Sequence, residues 1–305
     1  MTDVAREAGV STASASRAMT RPELVSETLR ARVQEAATRL GYIANAAARS
    51  LSMRRSGLVG VVLGDESDPV AVAMLAGAER ALARGAIGVL LRIAKDGAQA
   101  AACARGLEAY GIEGLLWIGG EAADAAAWTP GRDIPWAHCG LGHAATDAER
   151  GWALAFAYLR QLGHREIGAI ALRRKGRMAG SGPPRAEVGI ESLDDVDAVR
   201  TGVRQLVQQQ VTAIVGGSEL VAAAALRECR ILEMGVPSQI SVIALGDTAL
   251  SRCSDPSLTA VRIPAHDEGY AAAEWLIAAM AGRDVPRPEL PWKLVIRAST
   301  AVPVR

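Results

Sequence analysis

From Gly57 onward, short apolar runs of strand length alternate with amphipathic segments of helical length, and few architectures accept that order. The strand-like runs are Gly57–Leu63, Ile87–Ile93, Leu115–Ile118, Ile134–His138, Ile167–Leu172, Thr212–Val215, Ser241–Leu245, Thr259–Ile263 and Lys293–Arg297. Between them lie helical patterns such as Val70–Ala83, Glu149–Leu162, Glu219–Met234 and Asp267–Met280. Such alternation predicts parallel sheets covered by helices on both faces. Half of the 305 residues are apolar, which supports large cores, yet there is one Phe, so alanine must fill much of the interior. A chain of this length exceeds the roughly 100–200 residues of one domain and predicts two or three compact units.

Several classes are set aside by composition. No stretch approaches the ~18–20 uncharged apolar residues of a membrane span; the best late run, Tyr270–Gly282, is interrupted by Glu274. The opening Met1-Thr2-Asp3-Val4 has no basic segment followed by an apolar run, so no export signal is expected and the protein is placed in the cytoplasm. Cys103, Cys139, Cys229 and Cys253 are widely separated, without a Cys-x-x-Cys pair, and read as buried thiols rather than a disulfide framework or zinc site. The histidines show no helical i, i+4 pairing, so no metal and no cofactor is expected. The net charge of +1 hides an asymmetry: residues 1–56 carry nine arginines against Asp3, Glu7, Glu23, Glu27 and Glu35, so the remainder is slightly acidic. A small basic segment on a larger acidic body points to a polyanion as the first partner.

The basic segment reads as three short helices. Val4–Ala8 stops at Gly9, a residue suited to the positive φ of a tight turn, and Val10 plugs the interior. Ser11 supplies an N-cap for a second helix, Thr12–Met19, with Ala15 and Ala18/Met19 inward and Thr12, Ala13, Ser16 and Arg17 outward. A third helix opens at Ser26 and is expected to bury Leu29, Val33, Ala36/Ala37 and Leu40 before Gly41. This is helix-turn-helix spacing, with small residues where helices touch and hydroxyls plus a guanidinium on the exposed second helix.

With Asp3-Val4-Ala5, Ala8-Gly9-Val10-Ser11, Ser16-Arg17, Val25-Ser26, Leu40-Gly41-Tyr42, Asn45 and Ala48-Arg49-Ser50-Leu51, the chain resembles the lactose-repressor (LacI/GalR) family of bacterial transcription regulators. The resemblance implies a small all-α helix-turn-helix headpiece (1–44) and a hinge helix with linker (45–56). After them comes an α/β periplasmic-binding-protein-like domain of two lobes with parallel sheets (57–305). The first lobe would comprise about 57–162 plus 259–285 and the second about 163–258 plus 286–305. It further implies a repressor without enzymatic activity, a homodimer on double-stranded operator DNA, under possible control by a small polar effector. Thr12, Ala13 and Arg17 would meet base edges in the major groove, and Ser11, Ser16 and Asn45 phosphates. Two hinge helices, touching through small faces such as Ala48, would enter the minor groove, where Leu51 wedges between base pairs. Departures are Ala15 for the usual Val, Ala44 for the Pro before Asn45, and a chain that opens inside the first helix, which suggests a misplaced start codon.

Further resemblance lies in Leu162-Gly163-His164-Arg165, Gly235-Val236-Pro237, Pro256-x-Leu258-Thr259 and Val295-Ile296-Arg297-x-Ser299-Thr300. The effector pocket departs most. The N-P-F-F-type turn reads Asp68-Pro69-Val70-Ala71, Asn-Asp becomes Ser218-Glu219, and the pocket Asp falls on Gly246, leaving Asp247. The Arg-x-x-Gly-aromatic helix is replaced by Gly176–Gly189, which reads as loop. The remaining candidates to line a cleft are Asp65, Asp68, His138, Ser218, Glu219 and Asp247. Two rival readings remain. One is a cytoplasmic ligand-binding module whose degenerate headpiece fails to fold its first helix. The other is an NADP-dependent oxidoreductase, from the G-x-G-x-x-A pattern at Gly140–Ala145 and the basic Arg173-Arg174-Lys175, though no catalytic arrangement accompanies them.

Overall fold

The computed structural model describes residues 1–20, 24–42, 55–64, 66, 68–94, 97–119, 128, 131, 133–139, 145–172, 185–191 and 195–304. It divides into two compact units, residues 1–58 with 111–113, and residues 59–110 with 114–305.

In the first unit α1 (Thr2–Glu7), α2 (Thr12–Thr20) and α3 (Glu27–Arg39) enclose a core of Val4, Ala5, Ala8, Ala15, Ala18, Val33, Ala36 and Ala37. Six of those eight are alanines, so the helices approach closely and the core is thin. The first helix forms with Val4 fully buried although no side chain caps it, against the expectation of the degenerate-headpiece reading. Gly9 takes φ +62° in the turn before α2, and Arg32 Nη2 donates to the Ala8 carbonyl at 2.7 Å, tying α3 to that turn. Leu29 is only half-buried and Leu40 is 47% exposed, not interior as its spacing suggests. Leu40 is the αR C-cap one residue beyond α3, where its side chain turns outward past the last buried turn.

The second unit contains two sheets. The first, in order β2-β1-β3-β4, uses β1 (Leu58–Leu63), β2 (Gly88–Ile93), β3 (Gly114–Ile118) and β4 (Trp136–Cys139). β1 pairs parallel with β3 (Val61 opposite Leu116), and β3 with β4 (Trp117 opposite His138). On one face lie α4 (Pro69–Arg84) and α10 (Ala265–Met280), through Met74, Ala78, Leu82, Ala272, Ala273 and Leu276. Their backbones touch: a β-carbon on Gly77 would strike the His266 carbonyl, and one on Gly269 the Met74 carbonyl. Alanine and glycine thus do what large side chains do elsewhere, giving contact through short interaxial distance. A further helix, α5 (Gly97–Glu108), contacts β2.

The second sheet runs β10-β9-β8-β7-β5-β6 and comprises β5 (Ile167–Leu172), β6 (Ala186–Ile190), β7 (Ala213–Gly216), β8 (Ser241–Leu245), β9 (Thr259–Arg262) and β10 (Lys293–Val295). All neighbours are parallel except β10, which runs antiparallel to β9 at the edge. Alternation along the strands sorts residues to two faces. Ile214, Val242 and Ala244 meet α7 (Val196–Gln208) and α8 (Glu219–Ile231), while Ala213, Val215, Ile243 and Leu245 meet Trp152, Ala155, Phe156 and Leu159 of α6 (Ala145–Gln161). A short α9 (Ala249–Cys253) follows β8.

Three sequence readings are corrected here. Helix α6 and strand β9 belong to the second sheet, whereas the proposed boundaries put both in the first lobe. The hydrophobic stripe of α6 identifies a buried face but not which of two sheets it covers. The part of Gly176–Gly189 that is described is not loop: Ala186–Ile190 forms edge strand β6 beside β5, its weak pattern hidden among Gly and Pro. Finally, Cys139 and Cys229 are buried, but Cys253 is exposed and Cys103 half-buried. No described helix is long and apolar enough to cross a membrane.

Candidate nucleic-acid interface and ligand cleft

The second helix of the first unit is built to present its outer face. Ser11 Oγ accepts from Ser14 N at 3.1 Å, capping α2, and the first turn carries no acid. Its free amides and dipole therefore favour an anion such as phosphate. With Ala15 and Ala18 inward, Thr12, Ala13 and Arg17 are exposed and Ser16 is half-buried, its carbonyl accepting from Thr20 Oγ1 at 2.8 Å. Arg17 Nε rests on the Ala13 carbonyl at 3.3 Å, and Arg17 pairs with no carboxylate among the described residues. Neighbouring arginines are engaged: Arg6 with Asp3, Arg30 with Glu27, Arg39 with Glu7. Asn45, Ala48 and Leu51 lie outside the described residues.

The effector candidates sit at the carboxyl ends of strands, where parallel sheets bind ligands, but most are occupied internally. Asp65 lies outside the described residues, as do residues 140–144 and 173–175. Asp68 caps α4, Oδ1 accepting from Val70 N at 2.9 Å. His138 is buried on β4, its Nε2 3.1 Å from the Gly119 carbonyl, while Arg287 Nη1 donates to its own carbonyl at 2.6 Å. Ser218 is buried and caps α8 through Val221 N at 3.2 Å. Asp247 has a fully buried carboxylate, with Oδ2 accepting from Arg262 at 2.7 Å and Oδ1 from Arg297 Nη2 at 2.6 Å.

Glu219 is the exception in part. It is buried, with Oε1 accepting from Thr248 N (2.7 Å), Ser251 N (3.1 Å) and Ser251 Oγ (2.6 Å), which locks the start of α9. Its Oε2 has no hydrogen-bond partner among the described residues and faces Gly246, where a β-carbon would stand 3.2 Å from it and 3.0 Å from Val70 Cγ2. Val70 and Gly246 thus bring α4 of the first sheet against the turn after β8 of the second. Sequence reasoning missed Arg262, Arg297 and the Val70–Gly246 contact; the arginines lie 15 and 50 residues from Asp247, and no local spacing marks them. On β4 of the first sheet, the Cys139 thiol is pushed up to about 12 by burial and does not offer a thiolate.

Residues 1–45 match the family described as bacterial regulatory proteins, lacI family, and residues 156–300 match the periplasmic binding protein-like domain. The chain is 29% identical to an HTH-type transcriptional regulator in the aml 5' region of Streptomyces limosus, over 99% of this chain and 94% of that protein. It is 29% identical to the regulator GntR of Pseudomonas aeruginosa, over 98% and 95%, and 28% to the repressor CytR of Escherichia coli K12, over 98% and 96%. Among solved structures, the lac repressor dimer bound to operator and the anti-inducer ONPF superposes with a TM-score of 0.78 at 22% identity, covering 98% of both chains. The CelR–cellobiose complex superposes with a TM-score of 0.65 at 21% identity, again over 98% of both. The chain thus carries a lacI-family helix-turn-helix domain followed in sequence by a periplasmic-binding-protein-like domain, and over almost its full length it is similar to HTH-type transcriptional regulators.

Proposed function

We propose that this regulator is a repressor, active in the cytoplasm as a homodimer on a pseudo-palindromic double-stranded operator, with no enzymatic activity and no cofactor. The observation that carries the reading is the exposed row Thr12, Ala13 and Arg17 on a capped α2, with Arg17 held by no acid among the described residues. Thr12, Ala13 and Arg17 meet base edges in the major groove, and Ser11 and Ser16 contact phosphates. Residues 45–56 form the hinge, with Asn45 on a phosphate, Ala48 against its symmetry mate and Leu51 as the minor-groove wedge. One small basic unit binds too weakly alone, so two-fold symmetry supplies useful affinity. Two similar proteins support this reading: CytR is named a repressor, and the lac repressor is solved as a dimer on operator. A gel shift against DNA upstream of its own operon tests it. A sequence-preferring complex that weakens steeply with salt is expected; its absence would favour the ligand-module reading.

Control by ordinary sugars is not expected. The pocket aromatic, Arg and Asn-Asp of the family are absent, and Asp68, Ser218 and Asp247 are engaged within the protein. Losing several contacts worth ~1–3 kcal/mol each takes a micromolar ligand beyond millimolar. What remains for a small polar effector is the Glu219 oxygen that has no partner among the described residues, beside Gly246.

A further inference from the structure

We propose that Glu113, a residue outside the headpiece helices, is a positioning residue for operator binding that holds the exit of the hinge. The inference rests on the operator-binding reading above. Glu113 immediately precedes β3 and receives three donors from two of the three residues that precede β1, Arg55 and Gly57. Its Oε1 accepts from Gly57 N at 2.8 Å, and its Oε2 accepts from Arg55 Nε at 2.8 Å and Arg55 Nη2 at 2.6 Å. Its own N–H donates to the Leu58 carbonyl at 2.8 Å, so backbone and side chain together grip residues 55–58. Gly57 turns there with φ +66°, a left-handed conformation that leaves the segment with little intrinsic stiffness.

An exposed Arg–Glu pair by itself contributes little. This carboxylate differs because it is 17% exposed, binds a guanidinium by two N–H groups, and also fixes a backbone amide. Its effect is to set the direction in which the chain leaves the linker and enters β1. A hinge that must enter the minor groove as one of a symmetric pair needs both ends placed; otherwise that ordering is charged to operator binding. Non-specific binding, which depends on charge and not on placement, has no such requirement. Glu113 also keeps Arg55 from phosphates, so releasing it frees one more cation.

The test uses the full chain and the duplex that it enriches from a random DNA library, with Glu113→Ala, Glu113→Gln and Arg55→Ala as variants. Expected is a loss of about tenfold in affinity for the enriched duplex with Glu113→Ala, and smaller losses with Glu113→Gln and Arg55→Ala. Affinity for scrambled duplex should hold or rise, its salt slope steepening by about one for the Glu113 variants. A merely structural role would leave the specific-to-scrambled ratio unchanged. Unaltered affinity for the enriched duplex, or an equal loss on both duplexes, overturns the inference. Should Glu113→Ala fail to fold, Arg55→Ala, at a half-exposed side chain, decides alone. If the wild-type chain enriches no sequence, the operator reading itself fails; if it does and the variants behave as wild type, only the role of Glu113 fails.

Discussion

The outer face of α2 and the strand ends of the two sheets carry similar numbers of polar side chains, yet they use them in opposite ways. On α2, Thr12, Ala13 and Arg17 are exposed and Arg17 meets no carboxylate among the described residues, so this face offers its polar groups to solvent. At the strand ends Asp68 and Ser218 cap helices, and Asp247 lies between two guanidiniums. The comparison teaches that residue type at a family's ligand position is a poor guide to ligand contact. A carboxylate already charge-neutralised within the protein has little left to offer a ligand.

The largest expected effect tests the internal role of the strand ends. Asp247→Asn leaves Arg262 and Arg297 facing a neutral amide; it should destabilise the second unit by about 3 kcal/mol, the lower part of the range for breaking a buried pair, because Arg262 is half-exposed. Chemical denaturation of the full chain measures it, and a change within experimental scatter would make Asp247 available as a ligand contact after all.

On α2 the same logic predicts the reverse pattern. Arg17→Ala should leave the unfolding midpoint in place while weakening operator binding by about 1–3 kcal/mol and relaxing base preference at one position. An equal loss on every sequence would make Arg17 a phosphate contact. The two variants form a double dissociation: one alters stability, the other recognition.

A smaller effect belongs to His164, which precedes β5 and anchors the carboxyl-terminal tail through Nε2 to the Ala301 carbonyl (2.9 Å) and Nδ1 to Thr212 Oγ1 (2.8 Å). Burial holds its imidazole below the ordinary value of 6.5, with the Ala301 hydrogen bond opposing. The folded state therefore takes up a proton at lower pH than the unfolded chain. The stabilisation it contributes is complete above pH 6.5 and is lost as pH falls through the folded value. Denaturant midpoints at pH 7.5 and 5.5 should differ by more in the wild type than in His164→Gln; equal differences would remove His164 from the pH response.

The smallest effect is expected from sugars. Common mono- and disaccharides should neither raise the melting temperature nor release the protein from DNA, since a ligand shifts lobe arrangements only through differential affinity. A saturable thermal shift with a hexose that also weakened operator binding would erase the contrast between the two regions.

The sequence alone determined what depends on near neighbours. The Ser11 cap, the Gly9 turn, the inward Ala15 and Ala18, and the period-two strands with their intervening helices are encoded within a few residues, where backbone geometry fixes which side chains share a face. It did not encode which sheet α6 covers, since Trp152, Phe156 and Leu159 would serve any apolar face. Nor did it show β6, whose Ala186–Ile190 becomes a strand beside β5. Only the tertiary structure decided that Asp247 meets Arg262 and Arg297, and that Glu113 meets Arg55 and Gly57. Those partners lie 15 to 58 positions apart and come together because strand pairing aligns the segments. Electrostatic attraction acts through space, and no periodicity along the chain records it.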